Sequence, residues 1–253
     1  MKHTVQWVLS LIFNLQMYLA MLVVAAVLFP FTVVNRTFAF HAVHIYCRWV
    51  RWTASWMVGL KSEIRGEIPT GEVIIASKHQ SFFDIIMIVS VVPRPKFIMK
   101  KEIQWMPLVG YYAKRVGCVA VDRGKRGRAI KKMVQDVQSG VQTPGQLIIF
   151  PQGTRVAAGA AKPYKIGAGV LYKETGQACI PTATNVGVFW KRHGVMRKRG
   201  LAVVEFLPTV KPGLELGVFM EKLESDVETA SNRLMEEAGF SVPAIEQRTA
   251  EGG

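Results

Sequence analysis

The sequence predicts an α/β fold, a mostly parallel central sheet flanked by helices, preceded by an amino-terminal membrane-associated hairpin of two helices. Three observations carry this. The first sixty residues are dominated by two long apolar and aromatic stretches. From Lys61 onward, short apolar runs bounded by turn residues alternate with helix-length segments. The residues with chemical potential fall where those short runs end, as expected at the carboxyl ends of parallel strands. The expected division is therefore a membrane-embedded hairpin over 1–60 and an α/β domain over 61–253.

In the hairpin, no charged residue occurs between Val5 and Val34. Val5 to Phe29 as a helix would run about 37 Å, enough to cross a bilayer core of about 30 Å. Gln6, Ser10 and Asn14 recur every fourth residue as one polar stripe, so the helix packs against a partner or lies partly in the interface. The run is long for a cleaved signal peptide and no small-x-small site follows it. Pro30 is expected to end the first helix. Thr37 to Leu60 reads as the second, with Tyr46, Trp49, Trp52 and Trp56 beside Arg48 and Arg51. That mixture suits a lipid headgroup zone; the other reading is an aromatic core helix. The basic region beyond predicts an inner, cytoplasmic membrane location with the rest of the chain on the cytoplasmic side.

Beyond the hairpin, strands are expected over 61–65, 73–76, 96–99, 118–121, 146–150, 178–182 and 201–206. Helices are expected over 82–91, 104–115, 126–139, 163–175 and 216–238. The chain carries 32 basic and 18 acidic residues, a formal charge of +14. From Arg94 to Lys132 twelve Lys/Arg face two acids; from Glu215 to Glu251 nine acids face three basic residues. The basic middle calls for an anionic partner: a phosphate, nucleic acid, an anionic membrane or an acidic protein. Cys47, Cys118 and Cys179 are scattered and lack CxxC spacing, which argues against a disulfide framework or a zinc site.

The stretch Ser77-Lys78-His79-Gln80-Ser81-Phe82-Phe83-Asp84 lies between the apolar runs Val73–Ala76 and Ile85–Val89. On one helix His79 and Asp84 would point about 140° apart. They meet only if His79 sits in the turn and Asp84 in the first helical turn. An imidazole held by a carboxylate is a general base for a hydroxyl. Equally, Ser81-Phe-Phe-Asp84 reads as a capping box with Asp84 serving the helix start.

Two further turns stand at strand ends. Phe150-Pro151-Gln152-Gly153-Thr154-Arg155 combines a tight Pro/Gly turn, a hydroxyl and a guanidinium fork suited to phosphate oxygens. It also reads as an ordinary surface turn. Gly117 to Arg123 is a strand ending in Asp122-Arg123, where Arg123 either faces the same anion or forms an exposed ion pair.

These residues together resemble the glycerolipid acyltransferase family, specifically the 1-acylglycerol-3-phosphate (lysophosphatidic acid) acyltransferases. His79–Asp84 matches the HX4D block, Gly117–Arg123 the second, Phe150–Arg155 the third and Ile180-Pro181-Thr182 the weak fourth, in order. Met99–Ile103, Pro107, Gly110 and Tyr164–Gly167 resemble the connections between them. Two positions depart from the pattern: Lys78 stands where the family has Asn, and Gln152 where it has Glu.

The resemblance implies transfer of a fatty acyl group, from acyl-CoA or acyl carrier protein, to the sn-2 hydroxyl of lysophosphatidate, giving phosphatidic acid in phospholipid biosynthesis. His79 would be the base and Asp84 its orienting acid. Arg155 would hold the acceptor phosphate, with Lys100, Arg123, Gly153 and Thr154 assisting. Amides near Gly153 or the Phe82 helix start would face the oxyanion, and Gln152 and Lys78 would bear on acceptor selectivity. The resemblance calls for no cofactor, no metal and no nucleic acid. Acylation of another lysolipid such as lyso-ornithine lipid is the alternative; a non-catalytic membrane- or nucleic-acid-binding protein is the remote one.

Overall fold

The computed structural model describes residues 2–121, 134–135 and 144–243. Arg123, and all but two residues of the basic helix expected over 126–139, therefore lie outside the described residues. Helix α1 (Lys2–Val34) and helix α2 (Thr37–Met57) form the hairpin. Strands β1 (Leu60–Arg65), β2 (Ile74–Ser77), β3 (Pro95–Lys100), β4 (Val119–Val121), β5 (Gln146–Ile149), β6 (Cys179–Thr184) and β7 (Gly200–Phe206) make one sheet in the order β1-β7-β6-β2-β5-β3-β4. Every neighbouring pair is parallel except β6 with β7. Helices α3 (Phe82–Val89), α4 (Val109–Val116), α5 (Gly167–Thr175) and α6 (Leu216–Glu237) complete the described elements, with short 3₁₀ turns over Lys101–Trp105 and Val186–Val188.

The sheet is covered on both faces, and strand alternation decides which residues go where. On β2 and β5, Ile75 and Ile148 enter a core shared with Phe83, Ile86 and Met87 of α3 and with Phe13, Met17, Val50 and Ala54 of the hairpin. Ile74, Ala76, Leu147 and Ile149 point the other way, onto Leu171 and Tyr172 of α5 and Phe219, Leu223 and Val227 of α6. The hairpin is thus packed into the main core. Phe13 of α1 meets Trp190 edge-on at 5.6 Å, and Trp190 stacks on Phe83, the residue before Asp84, at 5.1 Å.

The polar stripe of α1 explains its own placement. Gln6 Nε2 donates to Val58 O and Arg197 O, Ser10 Oγ accepts from Arg197 N at 2.9 Å, and Asn14 Oδ1 accepts from the Arg197 guanidinium at 2.9 Å. At the far end, the Thr32 and Tyr111 hydroxyls are 3.0 Å apart, and Tyr112 donates to Ala25 O. Helix α1 is therefore tied to the α/β domain at both ends, over about 40 Å of helix. Its opposite face leaves Leu11, Leu15, Leu19, Val23 and Val27 exposed.

Boundaries differ from the sequence expectation in several places, α2 ending at Met57 rather than Leu60 among them, and three of the differences have a clear cause. Pro30 lies inside α1, which continues to Val34. A proline costs one helical hydrogen bond and kinks the chain, but Arg115 donates to both Thr32 O and Val33 O, so the last turn is held from outside. The helix expected over 104–115 divides because Pro107 has no N–H and Leu108 adopts φ +60°, so α4 starts at Val109. Residues 163–165 stay out of the helix because Lys165 N donates to Pro151 O and the Tyr164 hydroxyl reaches α6, and Ile166 then caps α5, which begins at Gly167.

Candidate active site

Parallel pairing brings the ends of β2, β5 and β3 to one edge: Ile75 lies beside Ile148, and Ile148 beside Phe97. At that edge β2 gives way to α3 within four residues. Lys78 N donates to Thr182 O on β6 at 3.0 Å, which fixes the backbone entering the turn. Ser81 is extended at φ −147° and caps α3, its hydroxyl accepting from Phe83 N at 3.3 Å.

Asp84 makes the contacts that each reading of the motif requires. Its Oδ2 accepts from Gln80 N and Ser81 N, each at 2.8 Å, so it closes the capping box. Its Oδ1 lies 3.0 Å from His79 Nδ1. Asp84 is fully buried, whereas the His79 side chain keeps 12% exposure. A carboxylate only accepts, so the shared proton sits on Nδ1 and the Nε2 lone pair is left to act as base. Phe150 stacks on the imidazole at 4.0 Å and 20°, holding the ring plane.

The turn after β5 wraps over the histidine. Gly153 N donates to Phe150 O at 2.9 Å, and Val156 N donates to His79 O at 2.8 Å. Gly153 has φ +69°, and a Cβ there would lie 2.6 Å from Lys165 Nζ. The Gly153 amide is thus engaged in its own turn, which departs from its expected place at the oxyanion. Arg155 donates to Arg192 O at 3.3 Å and Arg192 to Arg155 O at 3.4 Å. Neither guanidinium pairs with a carboxylate among the described residues. Thr154 is half-buried in the same turn. Lys100 closes β3 at the same edge, two strands from His79, and pairs with Glu102 at 3.0 Å in the open.

The two positions that depart from the family pattern are both buried. Lys78 Nζ meets Glu228 Oε2 of α6 at 2.5 Å, and the other Glu228 oxygen accepts from Tyr164 at 3.1 Å. Burial, then Glu228, push the Tyr164 hydroxyl far above its usual range, so it stays a donor. Burial, then Glu228, also raise the neighbouring Glu224 carboxyl. Gln152 donates to Lys162 O at 3.3 Å, while its buried Oε1 has no partner among the described residues.

Sequence reasoning gave no role to Phe150 as a ring clamp, Arg192, Lys165 or Glu228. Lys165 lay in the Tyr164–Gly167 run already singled out. Glu228 is one acid on an acidic helix, with nothing local to mark it. Burial raises the Cys118 thiol to about 11 and the Cys179 thiol to about 12, so neither is a thiolate nucleophile at neutral pH. Among the described residues no group of three His, Cys, Asp or Glu is arranged to hold a metal.

A parallel-sheet edge carrying a histidine held by a buried acid beside a Pro/Gly turn is the geometry of the site, and comparison with known proteins says what the chain is similar to. A family model described as Acyltransferase matches residues 60–185, from β1 to the end of β6. The 1-acyl-sn-glycerol-3-phosphate acyltransferase of Pseudomonas aeruginosa is 26% identical over 170 residues, covering 66% of each chain. The alpha form of that enzyme from Mus musculus is 31% identical over 132 residues, covering 51% of this chain and 46% of that one. The chain thus spans between about half and two thirds of those relatives. The crystal structure of the 1-acyl-sn-glycerophosphate (LPA) acyltransferase PlsC from Thermotoga maritima matches with a TM-score of 0.78 at 17% identity. That match covers 92% of this chain and 99% of that one, and bears on the fold. The family model and these relatives place the chain among the acyltransferases, and it is similar to the 1-acyl-sn-glycerol-3-phosphate acyltransferases.

Proposed function

We propose that the protein transfers a fatty acyl group from an acyl thioester, acyl-CoA or acyl carrier protein, to the sn-2 hydroxyl of 1-acylglycerol-3-phosphate. The products are phosphatidic acid and the free thiol. The observation that carries the proposal is the 3.0 Å contact of His79 Nδ1 with buried Asp84, beside the 150–155 turn. His79 Nε2 takes the hydroxyl proton as the oxygen attacks the thioester carbonyl. The tetrahedral intermediate collapses with cleavage of the C–S bond, and the imidazolium returns its proton to the leaving thiolate. Asp84 fixes the tautomer and stabilises the imidazolium. With both described α/β-domain thiols held protonated by burial, direct attack is favoured over an acyl-cysteine intermediate.

Arg155, joined by the adjacent Arg192, holds the acceptor phosphate, since two guanidinium groups without carboxylate partners suit a dianion. Lys100, Thr154 and Gly153 assist from the same edge, and Arg123, outside the described residues, is assigned to the same phosphate by its match to the second block alone. The substrates account for the hairpin over 1–60. A helix tied to the domain at both ends, with an apolar outer face, favours embedding in one leaflet of the inner membrane over crossing it. The catalytic domain then lies on the cytoplasmic side.

A second acceptor, a lysolipid without phosphate such as lyso-ornithine lipid, is supported by one observation: the buried turn residue is Gln152, with an unpaired acceptor. Purified protein offered a panel of lysolipids with each donor, followed by thiol release, separates the two. Turnover with lysophosphatidate and none with phosphate-free acceptors is expected. Equal turnover with both would overturn the phosphate acceptor, and no turnover with any would overturn acyl transfer.

A further inference from the structure

Away from His79, a cleft of about 420 Å³ opens between α2 and β1, lined by Arg48, Arg51, Trp52, Ser55, Lys61 and Ser62. Three of its six lining residues are cations and none is an acid. None of the three forms an ion pair among the described residues. A wall of unpaired like charges is costly to assemble unless an anion occupies it for part of the protein's life.

The cleft is organised. Arg51 is fixed from two elements: its Nε donates to Ser62 Oγ at 2.9 Å and a terminal nitrogen to Ser90 Oγ at 2.8 Å. The remaining terminal nitrogen reaches Ser62 O at 3.3 Å. Arg48 spends only Nε, on Ser90 O at 3.3 Å, so its two terminal nitrogens remain available. Lys61 Nζ has no partner among the described residues. A guanidinium held in place loses little freedom when a phosphate docks, and Ser55 and Ser62 add hydroxyls to the rim.

The surroundings select the anion. Trp52 packs against Trp49 at a tilt, ring centroids 5.2 Å apart, and edge-on against Trp56 at 5.6 Å, and all three rings are exposed. Trp49 donates to Gln16 of α1, joining this ladder to the exposed apolar face that includes Leu15 and Leu19. From that face to the cleft, the surface runs from aliphatic through indole to cation. A phospholipid runs through the same order from chains through interface to phosphate. Nucleic acid or a soluble phosphate would leave the aliphatic face unused.

The cleft is separate from the reaction site. Ser90, which anchors both arginines, caps the carboxyl end of α3, and Asp84 stands in its first turn, about 9 Å of helix away. We propose that the α2–β1 cleft binds the phosphate of an anionic phospholipid headgroup and sets the depth and tilt at which the hairpin sits in the leaflet. This goes beyond acyl transfer and does not depend on it.

The test is equilibrium partition of the full chain onto phosphatidylcholine vesicles with and without phosphatidylglycerol. It compares wild type, the double variant Arg48→Gln/Lys61→Gln, and a charge-matched control, Lys173→Gln/Lys211→Gln. The wild type should prefer the anionic vesicles. The cleft variant should lose that preference by about 25-fold, from about fivefold per charge. The control should stay within about twofold of wild type, since exposed charges beyond a Debye length of the lipid are screened. Turnover of detergent-dispersed substrates should be unchanged in the cleft variant. Equal losses in both double variants would reduce the effect to net charge and overturn the site. Lost detergent turnover would assign the cleft to the acceptor and overturn it too. Displacement by inorganic phosphate, at an ionic strength where chloride has no effect, would show a free-phosphate site and overturn the lipid reading.

Discussion

Replacing Asp84 with Asn changes one oxygen into an NH₂ and nothing in volume, and the geometry makes the consequence specific. Asp84 accepts three hydrogen bonds: one from His79 Nδ1 at 3.0 Å and two from Gln80 N and Ser81 N at 2.8 Å. Asn has one acceptor oxygen. If that oxygen stays with the two amides, the NH₂ donates to His79 Nδ1. The ring proton then moves to Nε2, and the base is lost. If the amide flips, its NH₂ faces two N–H donors in a fully buried site and the cap breaks. The first arrangement keeps two bonds and should prevail. We expect kcat to fall by about 10²- to 10⁴-fold, the usual worth of a general base. Folding stability should fall by about 1–3 kcal/mol, from the lost charged acceptor. The assay is thiol release from an acyl thioester with lysophosphatidate in detergent, alongside thermal unfolding. Wild-type kcat in a folded Asp84→Asn protein would refute the tautomer argument. So would a loss of rate no larger than the loss of folded protein.

Arg155→Ala should raise the acceptor KM by about 10- to 100-fold, the worth of one charge-assisted bond to phosphate, with little change in the thioester KM. An unchanged acceptor KM in steady-state kinetics would count against phosphate binding there. Glu228→Gln removes the carboxylate that pairs with the Lys78 ammonium, whose side chain is 1% exposed, and should destabilise the fold by up to about 3–5 kcal/mol by denaturant titration. The double change Lys78→Met/Glu228→Leu removes both charges and should recover most of that loss; a double variant as unstable as Glu228→Gln would mean the pair is not the cause. Gly153→Ala places a Cβ at φ +69° and 2.6 Å from the mobile end of Lys165. It should cost about 1–2 kcal/mol, or roughly 2–8 °C in Tm, and an unshifted melting curve would show that the turn relaxes.

The fold was legible wherever the deciding interactions are local or periodic. Val73–Ala76, Gln146–Phe150 and Ala178–Thr182 read as buried strands because a sheet covered on both faces demands continuous apolar runs, and β2, β5 and β6 lie where those runs do. Proline positions were less legible. Pro30 is tolerated because Arg115, 85 residues later, serves the carbonyls of the last turn, and no window around Pro30 contains that information. At the site, the five-residue spacing of His79 and Asp84 implied the turn-then-helix geometry that the structure adopts. Long-range partners stayed invisible: Glu228 is 150 residues from Lys78, and Arg192 is 37 from Arg155. The polar stripe Gln6, Ser10, Asn14 announced a partner without naming it, and that partner is the backbone and guanidinium of Arg197.

The most direct measurement is formation of phosphatidic acid from lysophosphatidate and an acyl thioester by purified wild type and His79→Ala. Both should be confirmed to be folded and to associate with vesicles equally. The wild type should form product and release thiol in equal amounts, and the variant should lose turnover by at least about 10²-fold. Product formation by a folded His79→Ala protein at the wild-type rate would contradict the assignment of His79 as the base.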